Sequence, residues 1–159
     1  MRRTTRSLAA GAVSCAVAWG GIGLAPAAAS PRGAQTPAPQ VYRGLSLAAV
    51  AISRSKNVSL RDCPPGGNTQ RGVIRPIDDQ EFITVTLDVK VLPSFEPAQV
   101  PRPALVDAGG AAYNTAQSFT NIASQATFTC DFSFRVPAGA GAVRLVIGEA
   151  SLDLTHLKR

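Results

Sequence analysis

Ile83-Thr84-Val85-Thr86-Leu87-Asp88-Val89-Lys90-Val91 alternates apolar and polar residues without a break. Successive side chains of an extended strand point to opposite faces. This run therefore buries Ile83, Val85, Leu87, Val89 and Val91 and leaves Thr84, Thr86, Asp88 and Lys90 in water. A helix would scatter the same residues around its circumference. Working outward, a second run has the same period: Phe128, Cys130, Phe132, Phe134 and Val136 alternate with Thr127, Thr129, Asp131, Ser133 and Arg135. Val143, Leu145 and Ile147 form a third, shorter set, and the β-branched and aromatic content of all three suits a pleated, half-buried surface.

Weaker strands are expected at Leu45 to Ile52, around Val73-Ile74, at Ala104 to Val106, near Ala112-Tyr113 and at Leu152 to Leu157. Between them lie the turn-forming clusters Pro64-Pro65-Gly66-Gly67-Asn68, Asp107-Ala108-Gly109-Gly110 and Pro137-Ala138-Gly139-Ala140-Gly141. No stretch carries a helical period of any length. Seven or eight short strands with frequent turns describe an all-β, antiparallel sandwich or barrel.

The N-terminus has a different character. Arg2, Arg3 and Arg6 precede the apolar stretch Ser7 to Leu24, which closes on Ala25-Pro26-Ala27-Ala28-Ala29. A basic n-region, an apolar h-region and small residues at the cleavage positions make a secretory signal over residues 1–29. Ala27 and Ala29 flank the last small position, and Ser30 is the expected mature N-terminus. Arg2-Arg3 lacks the flanking residues of a twin-arginine signal. Ala12-Val13-Ser14-Cys15 loosely matches a lipobox, and acylation at Cys15 is the minority alternative to release. Residues 30–40, rich in Pro and small residues, read as a disordered spacer, with the sandwich domain over 41–159.

Removing the signal changes the charge argument. All three of its charged residues are basic, so 13 basic and 10 acidic residues remain, and the net charge falls from +6 to +3. With no basic run longer than Lys158-Arg159 and no aromatic interleaving, nucleic acid is not an expected partner. The mature chain holds no segment expected to span a membrane. Its two cysteines, Cys63 and Cys130, allow one pairing in an oxidising compartment. Cys130 shares its face with Phe128, Phe132 and Phe134, so the bridge should leave the core and tie a central strand to the loop carrying Cys63.

The run Glu81 to Val91, the run Pro103-Ala104-Leu105-Val106-Asp107-Ala108-Gly109-Gly110-Ala111-Ala112-Tyr113, and Cys130-Asp131-Phe132-Ser133-Phe134-Arg135-Val136-Pro137 together resemble the immunoglobulin-like domain of bacterial secreted proteins and lipoproteins of unknown function. The mycobacterial immunoprotective extracellular antigen is similar in architecture. The resemblance spans roughly residues 80–150 and departs from the pattern between Arg54 and Ile77. It implies an immunoglobulin-like β-sandwich, export, and no assigned catalytic residues. The one tryptophan, Trp19, falls in the signal, which excludes the antibody-type core.

Chemistry-bearing residues are sparse. His156 is the single histidine and reads as a strand-end or solvent-edge residue rather than a catalytic base. Asp78, Asp79 and Glu81 form the densest acidic group but lack the spacing of a calcium loop, so they read as a solvated entry to the long strand. Asp62 reads as a turn residue. No catalytic residue, metal or cofactor is expected. The amide-rich segment Tyr113 to Gln125 offers a ligand loop in Tyr113, Asn114, Phe119 and Asn121. These observations point to a secreted or envelope-associated, non-enzymatic binding module for a protein or glycan of the envelope or extracellular space. An enzyme or accessory subunit using the carboxylates of Asp78, Asp79 or Glu81 is the first alternative, and a structural envelope component the second.

Overall fold

The computed structural model describes residues 37–66, 71–75, 77–124 and 126–157. The signal segment, Cys15, the cleavage residues Ala27, Ala29 and Ser30, and spacer residues 30–36 lie outside them, as does Gln125. Among the described residues ten strands follow in order: β1 (Gln40–Tyr42), β2 (Leu45–Ser55), β3 (Val58–Leu60), β4 (Arg71–Ile74), β5 (Gln80–Val91), β6 (Ala104–Asp107), β7 (Ala112–Asn114), β8 (Thr127–Pro137), β9 (Ala142–Ile147) and β10 (Ala150–Asp153). One sheet has the order β1-β2-β5-β8 and a second β10-β9-β6-β7, while β3 and β4 form a hairpin of their own. Every one of these strand pairs is antiparallel.

The two long alternating runs lie side by side as β5 and β8, in a register that sets Leu87 opposite Cys130 and Thr86 opposite Asp131. Leu45, Leu47, Ile83, Val85, Leu87, Phe132 and Phe134 of this sheet are fully enclosed, and Leu105, Leu145 and Ile147 face them from the other. Each such side chain contributes roughly 1.5–3 kcal/mol through burial, so the interlocked faces hold the sandwich together. On the outward face of the β5–β8 pair, directly opposed residues bond in a ladder. Thr84 Oγ1 meets Ser133 Oγ at 2.9 Å, Thr86 Oγ1 donates to Asp131 Oδ1 at 2.6 Å, and Thr129 Oγ1 donates to Asp88 Oδ1 at 2.7 Å.

The fold is an immunoglobulin-like β-sandwich. Taking β2, β5, β6, β7, β8, β9 and β10 as seven successive strands, one sheet contains the first, second and fifth, and the other runs seventh, sixth, third, fourth. The constant-type immunoglobulin domain differs in pairing its fourth strand with the fifth. The additional strands β1, β3 and β4 raise the count to ten among the described residues; β4 contains the expected Val73-Ile74, while β1 and β3 have three residues each, too few for an alternating pattern to stand out. β1 takes in Gln40, assigned above to the spacer.

β2 explains why its own signal was weak. Leu45, Leu47 and Ala49 face inward, but the register slips between Ala49 and Ala51, so that Ile52 is the next buried residue and Val50 is left 41% exposed. A bulge of one residue inverts the parity of everything after it. The disulfide Cys63–Cys130 is present, with Cα atoms 5.5 Å apart and both residues in the core. It differs from expectation in one respect: among the described residues β8 pairs with β5 alone, so the bridge anchors an edge strand, not a central one.

Candidate functional site

An 11-residue edge strand presents a row of free backbone groups, and proteins cover such edges to prevent unwanted pairing. Here the cover is Gln117, 1% exposed, on the chain returning from β7 to β8. Its Oε1 accepts from the amide of Ser133 at 2.7 Å, and its Nε2 donates to the carbonyls of Asp131, at 2.6 Å, and Arg61. A carboxamide carries one acceptor oxygen and two N–H donors, so it can stand in for the peptide group of a neighbouring strand. Asp62, buried beside it, accepts from the backbone amide of Ser118 at 2.8 Å and from its hydroxyl at 3.2 Å. The amide of Cys63 donates to the carbonyl of Ser118 at 2.9 Å, and that of Thr120 donates to the carbonyl of Cys63 at 2.6 Å. Asp62, read from sequence as a turn residue, thus pins the segment that closes the edge.

This locked segment delivers Phe119 to one wall of a shallow groove of about 290 Å³ at the end of the sandwich where β5 stops and β8 starts. The Phe119 ring packs on Phe132 with centroids 5.0 Å apart. Asn121 takes a left-handed conformation, φ 51°, and turns the chain into the 3₁₀ turn Ile122–Ser124, whose Ile122 is buried in the core. The opposite wall is Phe95 with residues 97–100. Phe95 is held by a turn, its amide donating to the carbonyl of Leu92 at 2.9 Å, and by Gly44. Gly44 has φ 76°, and the Phe95 backbone lies where any Cβ on it would go, so glycine is required on both counts. Apolar walls on rigid supports, with the amides of Gln99 and Asn121 at the rim, form a surface suited to a side chain from a partner.

The four residues of the expected ligand loop separate. Phe119 and Asn121 line this groove. Asn114 is exposed on β7 opposite Ala104, and Tyr113 turns to its own hairpin. There the Tyr113 hydroxyl donates to Asp107 Oδ2 at 2.9 Å, while the amide of Ala111 donates to Oδ1 at 2.9 Å. The hydroxyl and that amide hold the Asp107 carboxyl below its ordinary value, and the same carboxylate pushes the Tyr113 phenol up.

No family model and no curated protein matches the chain. Among solved structures, an uncharacterized β-sandwich protein from Clostridium difficile 630 is similar at 10% identity, covering 77% of this chain and 97% of that one, with a TM-score of 0.42.

The acidic residues also disperse. Asp78 and Asp79 are exposed in the turn entering β5, and the Asp79 carbonyl accepts from the amide of Ala138 at 2.8 Å. Glu81 Oε1 accepts from Arg54 Nη1 and, at 2.8 Å, from the amide of Gly139. These contacts fasten the β8–β9 turn to the start of β5. His156 lies elsewhere, among Gln40, Ala48 and Leu152. Among the described residues no three His, Cys, Asp or Glu side chains converge as metal ligands would. His156 also departs from the solvent-edge reading. β10 ends at Asp153, and past it His156 is half-buried, with Nδ1 and Nε2 turned out of solvent.

Sequence reasoning missed Gln117 and the wall at Phe95. A lone glutamine gives no periodic signal. Phe95 and Val100 sit among Pro93, Pro97, Pro101 and Pro103, and that density of proline with apolar residues was the available clue.

Proposed function

We propose that the mature chain is an exported, non-enzymatic binding module that takes an apolar side chain of an envelope or extracellular protein into the groove between Phe95 and Phe119. The observation that carries this reading is the anchoring of both walls: Gly44 and the Leu92 turn hold one, and the Cys63 bridge and Phe132 hold the other. A surface built in advance loses little entropy on binding. The formed disulfide accords with an oxidising compartment, and the tripartite N-terminus with export. The immunoglobulin-like domains of secreted bacterial proteins and lipoproteins are the family whose pattern the chain resembles, and their role as exported domains fits the same reading.

A photo-crosslinking residue placed at Ala98, in the groove, and at Ser53, on the outer face of β2, tests this in the native envelope. Crosslinking of one protein species from Ala98 and none from Ser53 is expected. Equal labelling from both positions would overturn the groove as the site. Hydrolysis of an envelope polymer abolished by Glu81→Gln would instead favour the enzyme alternative. Mass spectrometry of the exported chain should show an N-terminus at Ser30 without lipid, and a diacylglyceryl adduct on Cys15 would move the protein to the membrane surface.

A further inference from the structure

The solvent-facing side of the β1-β2-β5-β8 sheet is hollowed at one end. Strand register sets two rows across it: Ser46, Lys90 and Thr127 on β2, β5 and β8, and beside them Ala48, Asp88 and Thr129. By strand parity all six face away from the core. With Pro39, just ahead of β1, they line a concavity of about 460 Å³. That volume falls in the range of roughly 300–1,000 Å³ of small-ligand sites. The hollow exists because Ser46 and Ala48 reach so little above the sheet, and the bulge between Ala49 and Ala51 bends β2 beside it. Three strands across and two residues along give a footprint of about 10 by 7 Å, the size of a mono- or disaccharide.

The polar groups of the hollow are already oriented. Thr129 Oγ1 donates to Asp88 Oδ1 at 2.7 Å and holds the carboxylate in place. Among the described residues, Asp88 Oδ2 and the Lys90 ammonium have no partner, and both residues are exposed. A carboxylate oxygen accepts hydroxyl protons, an ammonium donates, and the hydroxyls of Ser46 and Thr127 do either. Between these groups the Ala48 methyl and Pro39 offer apolar surface.

We propose that this face is a second binding site, for a neutral saccharide lying with its hydroxyl edge on Asp88 and Lys90 and its C–H face on Ala48 and Pro39. Charge selects the occupant: the carboxylate and the ammonium cancel, so the hollow favours neither an anion nor a cation. Backbone pairing excludes an added peptide strand, because β2 and β5 are each bonded on both sides and have no free ladder groups to extend. A polyhydroxylated, uncharged ring matches the donors, the acceptor and the apolar floor together. The site shares no lining residue with the groove at Phe95 and stands whatever that groove binds.

Binding of the labelled exported chain to an array of neutral hexose, pentose and N-acetylhexosamine oligosaccharides, with uronate oligosaccharides alongside, tests this. At least one neutral glycan should be retained. Asp88→Ala should weaken that binding about 10-fold or more, as loss of hydrogen bonds to a charged group does. Ala48→Phe, which fills the hollow, should abolish it. Ser53→Ala, on the same face beyond the bulge, should bind as the native chain does. Retention of no neutral glycan, or of uronates alone, would overturn the proposal, as would undiminished binding by Asp88→Ala. A dimer in sedimentation that Ala48→Phe breaks would also overturn it, by giving the face to a second copy of the chain. Should Ala48→Phe fail to fold, Asp88→Ala and Lys90→Ala alter exposed residues only and still decide.

Discussion

The carboxamide of Gln117 occupies the place of a missing strand beside Ser133, accepting its backbone amide at 2.7 Å while donating to the carbonyl of Asp131. One side chain thereby closes the edge of the strand that carries half of the disulfide. The orientation of the amide group follows from its surroundings, with two carbonyls on the nitrogen side and a backbone N–H on the oxygen side.

Gln117→Leu keeps the bulk of the plug but leaves the groups of Arg61, Asp131 and Ser133 unpaired. Stability measured by urea denaturation should fall by about 2 to 4 kcal/mol. Sedimentation should also show new self-association through the uncovered edge. A variant as stable and as monomeric as the native protein would mean that Gln117 only fills space.

Leu87 and Thr86 are adjacent in sequence and opposite in environment, Leu87 being fully enclosed while Thr86 bonds Asp131 on the outer face. Leu87→Ala should cost about 2 to 5 kcal/mol, and Thr86→Ala within roughly 1 kcal/mol, read from denaturation midpoints at constant m. The neighbouring pair Phe132 and Ser133 will not divide in this way. Ser133 is itself buried between Thr84 and Gln117, so it is less tolerant than its outward parity suggests.

Replacing both Cys63 and Cys130 with Ala should lower stability by around 2 to 5 kcal/mol, and the closed loop of 67 residues favours the upper half of that range. Because Cys63 also bonds Ser118 and Thr120, the loss should extend to the Phe119 wall, seen as faster hydrogen exchange over residues 117–120. Free thiols titrating in the folded, unreduced protein would contradict the bridge.

The Asp107–Tyr113 hydrogen bond makes the β6–β7 hairpin pH-dependent at both extremes. The Asp107 carboxyl is lowered, so its contribution is present above the ordinary carboxylate range and lost as pH falls below about 4. The Tyr113 phenol is raised, so its contribution is present below about pH 10 and lost as pH climbs beyond it. Tyr113→Phe should flatten both limbs of local stability, followed by amide exchange at Ala111. Unchanged limbs would show that the bond does not hold the hairpin.

Local periodicity alone determined the faces of β5 and β8, because alternation over nine or ten residues leaves one register in which the apolar set is buried. The cysteine pairing was equally legible, since two residues permit one bridge. The phase of β2 beyond Ala49 was not, because a bulge is set by the partner strand and leaves no mark in a short alanine-rich run. Nor could sequence show that β8 is an edge, that Gln117 reaches back 56 residues to Arg61 to cover it, or that Phe95 faces Phe119 across a groove. His156 reads from sequence as a strand-end or solvent-edge residue, and only the tertiary structure sets it beside Pro37 and Gln40. Sequence decides what neighbours along one strand decide, and each remaining feature rests on contacts between segments whose meeting is settled by how the two sheets close.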